Sequence, residues 1–197
     1  MKKRRTVREG KFAPHPDDSE AVLSLDGTKC SFQLNPKGQI WHAALTPRVG
    51  DQRVAVLSKI PKLISVSIGS PVRPDASITN KGVIELLSIP NISALTLNNL
   101  PHVSDAIAPV LAKSNVRWLC LNCETITDQS MEHIASMTQL LRLSLIDSSV
   151  TEKSVPHLLN LKNLRHLNLD CGGFEANDLM SLQAELPRCK VKPCSDA

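Results

Sequence analysis

The chain of 197 residues suits one ordinary domain or a short repeat array with a tail, and its 42% apolar content is enough to close a core. Three Phe, two Trp and no Tyr make that core aliphatic and argue against a platform of aromatic side chains for nucleic acid. Six cations against one carboxylate give residues 1–11 a net charge of +5, which leaves −1 for the remainder of a chain whose total is +4.

The N-terminal residues 1–16 read as a basic, disordered tail. No apolar run approaches the ~18 residues that cross a bilayer, and the basic stretch is followed by Phe-Ala-Pro-His-Pro rather than by an apolar signal-peptide core. We therefore expect a soluble cytoplasmic protein without membrane contact. In a eukaryote, residues 2–5 would pass for a nuclear localisation signal, and an anionic partner for the tail stays open.

An internal repeat of 24 residues organises the rest of the chain. The apolar pattern L-x-x-L-x-L begins at six positions, which are Ile40, Leu63, Ile92, Val116, Leu140 and Leu164. The steps are 23, 29, 24, 24 and 24 residues, so the second unit holds an insertion, which falls within residues 70–76. We expect this insertion to tolerate deletion, and the repeats to extend over residues 40–187.

Each unit combines two hydrophobic periods. The alternation of Leu119-Cys120-Leu121 predicts a short strand, and the three-residue spacing of Met131, Ile134 and Met137 predicts one face of a helix. Pro109 and Pro156 predict that their helices are short or 3₁₀. A hydroxyl residue followed by a polar one predicts a helix cap at Thr79-Asn80, Ser104-Asp105, Thr127-Asp128 and Thr151-Glu152, but Glu175-Ala176 breaks the pattern.

These units resemble the leucine-rich repeat family, above all in residues 150–169, and look most like the 24-residue I-T-D-x-x-L class of bacterial proteins and cysteine-containing eukaryotic substrate adaptors. The resemblance implies an α/β fold: a right-handed solenoid of about six coils, with a parallel sheet on its concave face and short helices on its convex face. Where the family often has Asn, Thr or Cys in the turn after the strand, this chain has Leu100, Glu124, Ser148 and Gly172. The family's polar ladder along that turn is therefore not expected here.

Both ends of the repeat array read as caps, because a terminal coil does not bury its own outer face. Residues 17–39 predict a helix that starts at 17–20 and stops at Gly27, then a hairpin whose second arm, residues 39–41, is the first repeat strand. A last helix through Leu179, Leu182 and Leu186 should end at Pro187. Residues 188–197 form a C-terminal cap or tail, with a final edge strand at 189–191.

Strand register predicts which side chains line the concave face. The residues two after each repeat start are His42, Ser65, Ala94, Trp118, Arg142 and His166, and those four after are Ala44, Ser67, Thr96, Cys120, Ser144 and Asn168. Trp118, Arg142 and His166 should lie side by side, flanked by Arg117, Arg165, Asn122 and Asp170. An exposed Trp beside an Arg is typical of an interaction hot spot. Alternatively, Trp118 only covers aliphatic surface, with Arg142 lying over it.

Motifs for catalysis or metal binding are missing. The sequence has no phosphate-binding glycine loop, nucleophile elbow or His-Glu-x-x-His. The pair Cys120 and Cys123 has no second Cys-x-x-Cys, and on a strand these two side chains would face opposite sides about 10 Å apart. We expect no metal and no cofactor. The cysteines should be reduced thiols, with Cys189 and Cys194 as the one pairing left open.

These observations favour a monomeric, non-enzymatic scaffold that binds a protein partner on the concave face. The resemblance alone suggests an alternative, a substrate-recognition component of a ubiquitin ligase-like complex. Residues 1–39 hold no visible helical adaptor module, which counts against it. A second alternative is an anionic partner bound by the basic tail; nucleic acid is not expected elsewhere.

Overall fold

One open sheet of eight strands, paired in chain order, organises the residues described by the computed structural model, namely 15–25, 30–45, 49–170 and 172–193. The strands are β1 Cys30–Leu34, β2 Ile40–Leu45, β3 Ser65–Gly69, β4 Ala94–Asn98, β5 Trp118–Asn122, β6 Arg142–Leu145, β7 His166–Leu169 and β8 Lys190–Pro193. β1 is antiparallel to β2, and every later neighbouring pair is parallel. The six predicted repeat strands are present, and β8, the expected edge strand, adds a seventh parallel rung.

Short helices connect the strands: α1 Ser19–Ser24, α2 Asp51–Val54, α3 Asn80–Leu87, α4 Ala108–Ala112, α5 Asp128–Ile134, α6 Val155–Leu158 and α7 Ala176–Glu185. The shortening predicted from Pro109 and Pro156 is observed, because each proline lies in the first turn of its helix, directly after a 3₁₀ turn. None of the helices in the described part of the chain is long and apolar enough to cross a membrane.

A continuous aliphatic column forms the core. Leu95, Leu119, Leu143 and Leu167 are partners across β4 to β7, and each is at most 1% exposed. The repeat places an aliphatic residue at the same height in every coil, so each of these leucines packs between two aliphatic neighbours, with Val66 next to Leu95 and Val191 next to Leu167. The helices close the column from one side, and the other face of the sheet stays uncovered. We call this uncovered face the concave face.

A second ladder, which we call the cap ladder, joins the helix starts. The Asp105 carboxylate accepts the Thr127 backbone N–H at 2.9 Å and the Thr127 hydroxyl at 2.7 Å. One coil later Asp128 accepts the same two donors of Thr151, at 2.8 and 2.7 Å. Asp51 likewise accepts the N–H and hydroxyl of Thr79, at 2.9 and 2.6 Å. Each of these carboxylates therefore fixes the residue that caps the next helix.

The predicted helix caps are confirmed at three of four positions. The hydroxyls of Thr79, Thr127 and Thr151 accept a backbone N–H two residues on. Ser104 makes no such cap; its N–H donates to the Asn80 side-chain oxygen at 2.8 Å, and its hydroxyl accepts from the Asn80 amide at 3.0 Å. Ser104 is thus held by the previous coil instead of capping its own helix.

The ends of the array are closed in different ways. The predicted N-terminal helix start and hairpin are observed, and the buried Asp18 carboxylate accepts the Ile40 N–H at 2.8 Å, whereas Gly27 lies outside the described residues. At Glu175, where the hydroxyl pattern breaks, a capping box with Asp178 starts α7. The Gln183 side chain then bonds the Cys189 carbonyl and the Val191 N–H, and so ties α7 to β8.

The insertion at residues 70–76 is only partly exposed. Residues 71–74 are exposed, as expected for an added loop. Asp75, in contrast, is 2% exposed; its N–H donates to the Asn99 carbonyl at 3.0 Å, and its carboxylate accepts the Ser77 N–H at 2.9 Å. The expectation that the whole segment tolerates deletion therefore needs correction at Asp75.

We expect Leu143→Ala to lower the free energy of unfolding by about 2–5 kcal/mol, because it removes a fully packed rung from the middle of the column. Urea denaturation measures the change. Leu23→Ala serves as the control, because Leu23 is 72% exposed and its loss should stay within about 0.5 kcal/mol. A loss below about 1 kcal/mol for Leu143→Ala would contradict the stacked core.

We also expect Asp128→Ala to cost about 1–3 kcal/mol, because it leaves the donors of Thr151 and Ser154 without their acceptor. Asp128→Asn should cost less, because Asn80 already holds Ser104 in the equivalent place. A loss below about 0.5 kcal/mol for Asp128→Ala in urea denaturation would show that the hydrogen-bond ladder contributes little.

The contribution of Asp128 should also depend on pH. Partial burial raises the pKa of the Asp128 carboxyl, but hydrogen bonds from Ser154 and Thr151 and the charge of Lys153 outweigh it, so the pKa lies below its ordinary value. The stabilisation is therefore present at neutral pH and is lost as the pH falls through this lowered pKa. The stability difference between the native chain and Asp128→Asn should shrink below about pH 4.

Candidate functional site

The structure brings three of the predicted site residues together on the concave face. Trp118 on β5 pairs with Arg142 on β6, and Arg142 pairs with His166 on β7. Lys190 on β8 extends the same row. Neighbouring strands lie about 4.8 Å apart, so these four residues occupy a row about 14 Å long.

Trp118 and Arg142 form a stacked pair at one end of this row. Trp118 is 50% exposed, and the guanidinium carbon of Arg142 lies 4.9 Å from the centroid of its ring. This distance is within the range of a cation–π interaction. On its other side the ring has only Ala94 as a row neighbour, so the indole keeps a large surface open to a partner.

Arg117 and Arg165 lie where predicted, at the edge of the concave face. Each directly precedes a strand and is exposed. Their carbonyls accept N–H groups of the next coil, from Leu141 and Lys190 respectively, both at 2.8 Å. The backbone of these two arginines is therefore fixed, while their side chains stay available to solvent.

Sequence reasoning missed two candidate site residues on β8. Lys190 and Lys192 are exposed and pair with His166 and Asn168 on β7. They continue both concave-face rows by the same step of 24 residues, and this step was the signal that could have found them. We name Arg117, Trp118, Arg142, Arg165, His166, Lys190 and Lys192 together the basic patch.

The basic patch carries uncompensated positive charge. The strands β5 to β8 and the turns that lead into them, residues 111–122, 137–145, 161–169 and 186–193, contain no Asp or Glu. They contain eight cations, which are Lys113, Arg117, Arg142, Lys162, Arg165, Arg188, Lys190 and Lys192. Within the described ranges, the ion pairs Lys59–Glu20 and Lys81–Glu85 lie elsewhere, and no patch side chain pairs with a described carboxylate.

The pKa of His166 depends in part on this positive charge. Its partial burial lowers the pKa of the imidazole, and the positive charges of Arg142, Lys190 and Lys192 lower it further. At neutral pH the ring is therefore uncharged and offers one donor and one acceptor between cationic neighbours.

Asn122 and Asp170 lie at the strand ends opposite to Arg117 and Arg165, and their role in partner binding stays a prediction. Asn122 ends β5, where its amide donates to the Asn98 side-chain oxygen at 2.8 Å and its oxygen accepts from the Ser144 hydroxyl at 3.4 Å. Asp170 follows β7 and accepts the N–H of Asp147 at 3.3 Å and of Gly172 at 3.2 Å. Both residues make internal hydrogen bonds at the C-terminal ends of their strands. Along the five-residue β5, Asn122 lies about 13 Å from Trp118.

The Cys-x-x-Cys pair is divided between the two sides of the sheet. Cys120 lies on the concave face between Thr96 and Ser144, whereas Cys123 is buried, with its sulfur 3.7 Å from the Leu97 carbonyl. Burial raises the pKa of both thiols, and that of Cys189 to about 11. Cys120, Cys123 and Cys189 are thiols without a disulfide partner among the described residues. Cys171 and Cys194, and with them the open Cys189–Cys194 pairing, lie outside the described residues.

We expect Arg142→Ala to raise the pKa of His166, because it removes one of the positive charges that disfavour imidazolium. An NMR titration of the histidine ring protons measures the shift. Arg53→Ala is the matched control, since this exposed cation lies on α2. An unchanged His166 titration in Arg142→Ala would contradict the row geometry.

Comparison with known proteins identifies the fold. No protein-family model and no curated protein sequence matches this chain. An internalin from Listeria monocytogenes str. 4b F2365 aligns with a TM-score of 0.52 at 16% identity, over 73% of this chain and 38% of the internalin chain. A leucine-rich-repeat protein from Leptospira interrogans gives a TM-score of 0.47 at 17% identity, over 70% of this chain and 39% of that one.

This chain thus spans less than two fifths of the internalin, and at such low identity the likeness concerns the fold alone. The internalin match agrees with what the chain itself shows, a parallel sheet built from coils that repeat every 24 residues. The chain has the leucine-rich-repeat fold.

Proposed function

We propose that this protein is a non-enzymatic scaffold that binds a protein partner on the basic patch of its concave face, with Trp118 as the anchor. The observation that carries the proposal is the half-exposed Trp118 ring stacked under Arg142. Trp and Arg are the residues that most often dominate the energy of protein interfaces. The leucine-rich-repeat fold supports an interaction role in general terms.

The rigidity of the sheet also favours binding here. Trp118 and Arg142 lie on strands that pair with neighbours on both sides. Their backbone is therefore ordered before a partner arrives, which reduces the entropy lost on association. The alternative interpretation, in which Trp118 only covers aliphatic surface with Arg142 lying over it, predicts that Trp118→Ala leaves binding unchanged, and the experiment below separates the two.

The two alternatives receive less support. The described residues ahead of β2 form the six-residue α1 and the hairpin arm β1, and neither resembles a helical adaptor module of a ubiquitin ligase. The basic tail lies outside the described residues. Its role as an anionic-partner site stays a separate hypothesis, which deletion of residues 2–11 and the salt dependence of binding would test.

We expect Trp118→Ala to weaken binding of the partner at least tenfold, about 1.4 kcal/mol, while the circular dichroism spectrum stays unchanged. The partner is first isolated on the native chain, and its affinity for each variant is then measured by calorimetry. Met180→Ala is the control, because Met180 is 71% exposed but lies on α7, away from the patch. Equal affinities for Trp118→Ala and the native chain would disprove the site.

A further inference from the structure

The charges of the basic patch indicate what kind of partner it takes. Arg142 on β6 and Lys190 and Lys192 on β8 are exposed, lie two strands apart, and pair with no described carboxylate. Cations held this close together repel one another, and their charges add to the effect of burial in lowering the pKa of His166. A ligand that brings carboxylates would relieve the repulsion.

The acidic residues of these coils lie at the opposite edge of the sheet. Glu124, Asp147 and Asp170 all follow the C-terminal ends of their strands. Arg117 and Arg165 precede the N-terminal ends. The concave face is therefore polarised across its width, and an anionic chain would lie over the strand centres and their N-terminal edge.

The spacing of the patch suits an extended peptide. Arg142 and Lys190 are two strands apart, about 10 Å. A segment in the polyproline II conformation rises about 9 Å over three residues and completes one turn, so side chains three residues apart face the same side. Trp118 lies one strand beyond Arg142, where an apolar side chain of the same peptide would meet the indole. The small residues of the next strand, Ala94 and Thr96, leave room for its backbone.

We propose that the partner presents an acidic segment in the extended polyproline II conformation, with two carboxylates three residues apart bound by Arg142 and by Lys190 with Lys192, and an apolar side chain packed on Trp118. This inference rests on the proposed function, since it specifies what the concave face binds. We favour a protein segment over nucleic acid, because single-stranded bases stack on aromatic side chains. Among the described concave-face residues, those two and four positions after the repeat starts, Trp118 is the one Phe, Tyr or Trp.

The test uses Trp118 fluorescence. The chain has two tryptophans, so Trp41→Phe leaves Trp118 as the single reporter. The probes are a twelve-residue peptide with one Phe followed by Glu residues three apart, its Gln counterpart, and a twelve-nucleotide single-stranded DNA. We expect the Glu peptide to shift the Trp118 emission in a saturable way. Its affinity should be at least tenfold higher than that of the Gln peptide and should fall as salt is added.

A matched pair of double variants, made in the Trp41→Phe chain, tests the assignment to β8. Lys190→Gln with Lys192→Gln leaves the Trp118–Arg142 stack intact and should lower the affinity for the Glu peptide at least tenfold. Arg53→Gln with Lys81→Gln removes the same number of charges from the helices and should leave its affinity unchanged. Equal losses in the two double variants would overturn the inference.

Other outcomes also overturn it. These are equal affinity for the Glu and Gln peptides, no binding of the Glu peptide, or tighter binding of the DNA at the same salt concentration. The proposed function fails on a different result, namely a natural partner whose affinity does not depend on Trp118. A partner that needs Trp118 but tolerates Lys190→Gln with Lys192→Gln would keep the function and reject the acidic segment.

Discussion

Everything in this structure depends on equivalent aliphatic residues packing at the same height in successive coils. A single coil buries only one side of its leucines, so its stability comes from its neighbours. Leu119, Leu143 and Leu167 show this arrangement in three consecutive strands. The same register that stacks the leucines inward also sets every outward side chain in a row, which is why packing and binding surface are coupled in this protein.

The cap ladder supplies the hydrogen-bond acceptors that the helix starts need. A helix that starts against a buried core exposes backbone N–H groups that need acceptors. Here a carboxylate from the previous coil, such as Asp105 or Asp128, takes the N–H and hydroxyl of the next cap residue. Gly82 belongs to this ladder, because a Cβ there would lie 2.3 Å from the Asp51 carboxylate oxygen. The ladder therefore links consecutive coils through charged hydrogen bonds as well as through apolar contact.

The basic patch arises because cations precede the strands and carboxylates follow them. Residues that lead into β5 to β8 are basic or neutral, whereas carboxylates such as Glu124 and Asp147 follow the strands. Because parallel strands place all their N-terminal ends on one edge, this sequence asymmetry becomes a charge asymmetry across the sheet. Trp118 and Arg142, near the middle of the sheet, combine an apolar surface with that charge. A partner with both chemistries would complement the face.

The sequence by itself determined the coil length, the core column and the row of Trp118, Arg142 and His166, because hydrophobic periodicity directly fixes which side of a strand each residue occupies. It did not determine the fate of polar residues such as Ser104, Asn122 and Asp170, whose hydrogen bonds depend on which atoms of other coils come within about 3 Å. The 24-residue step reaches Lys190 and Lys192 as well, but only the pairing of β8 with β7 showed that the residues after the last helix form a further rung of the sheet and so extend the candidate site.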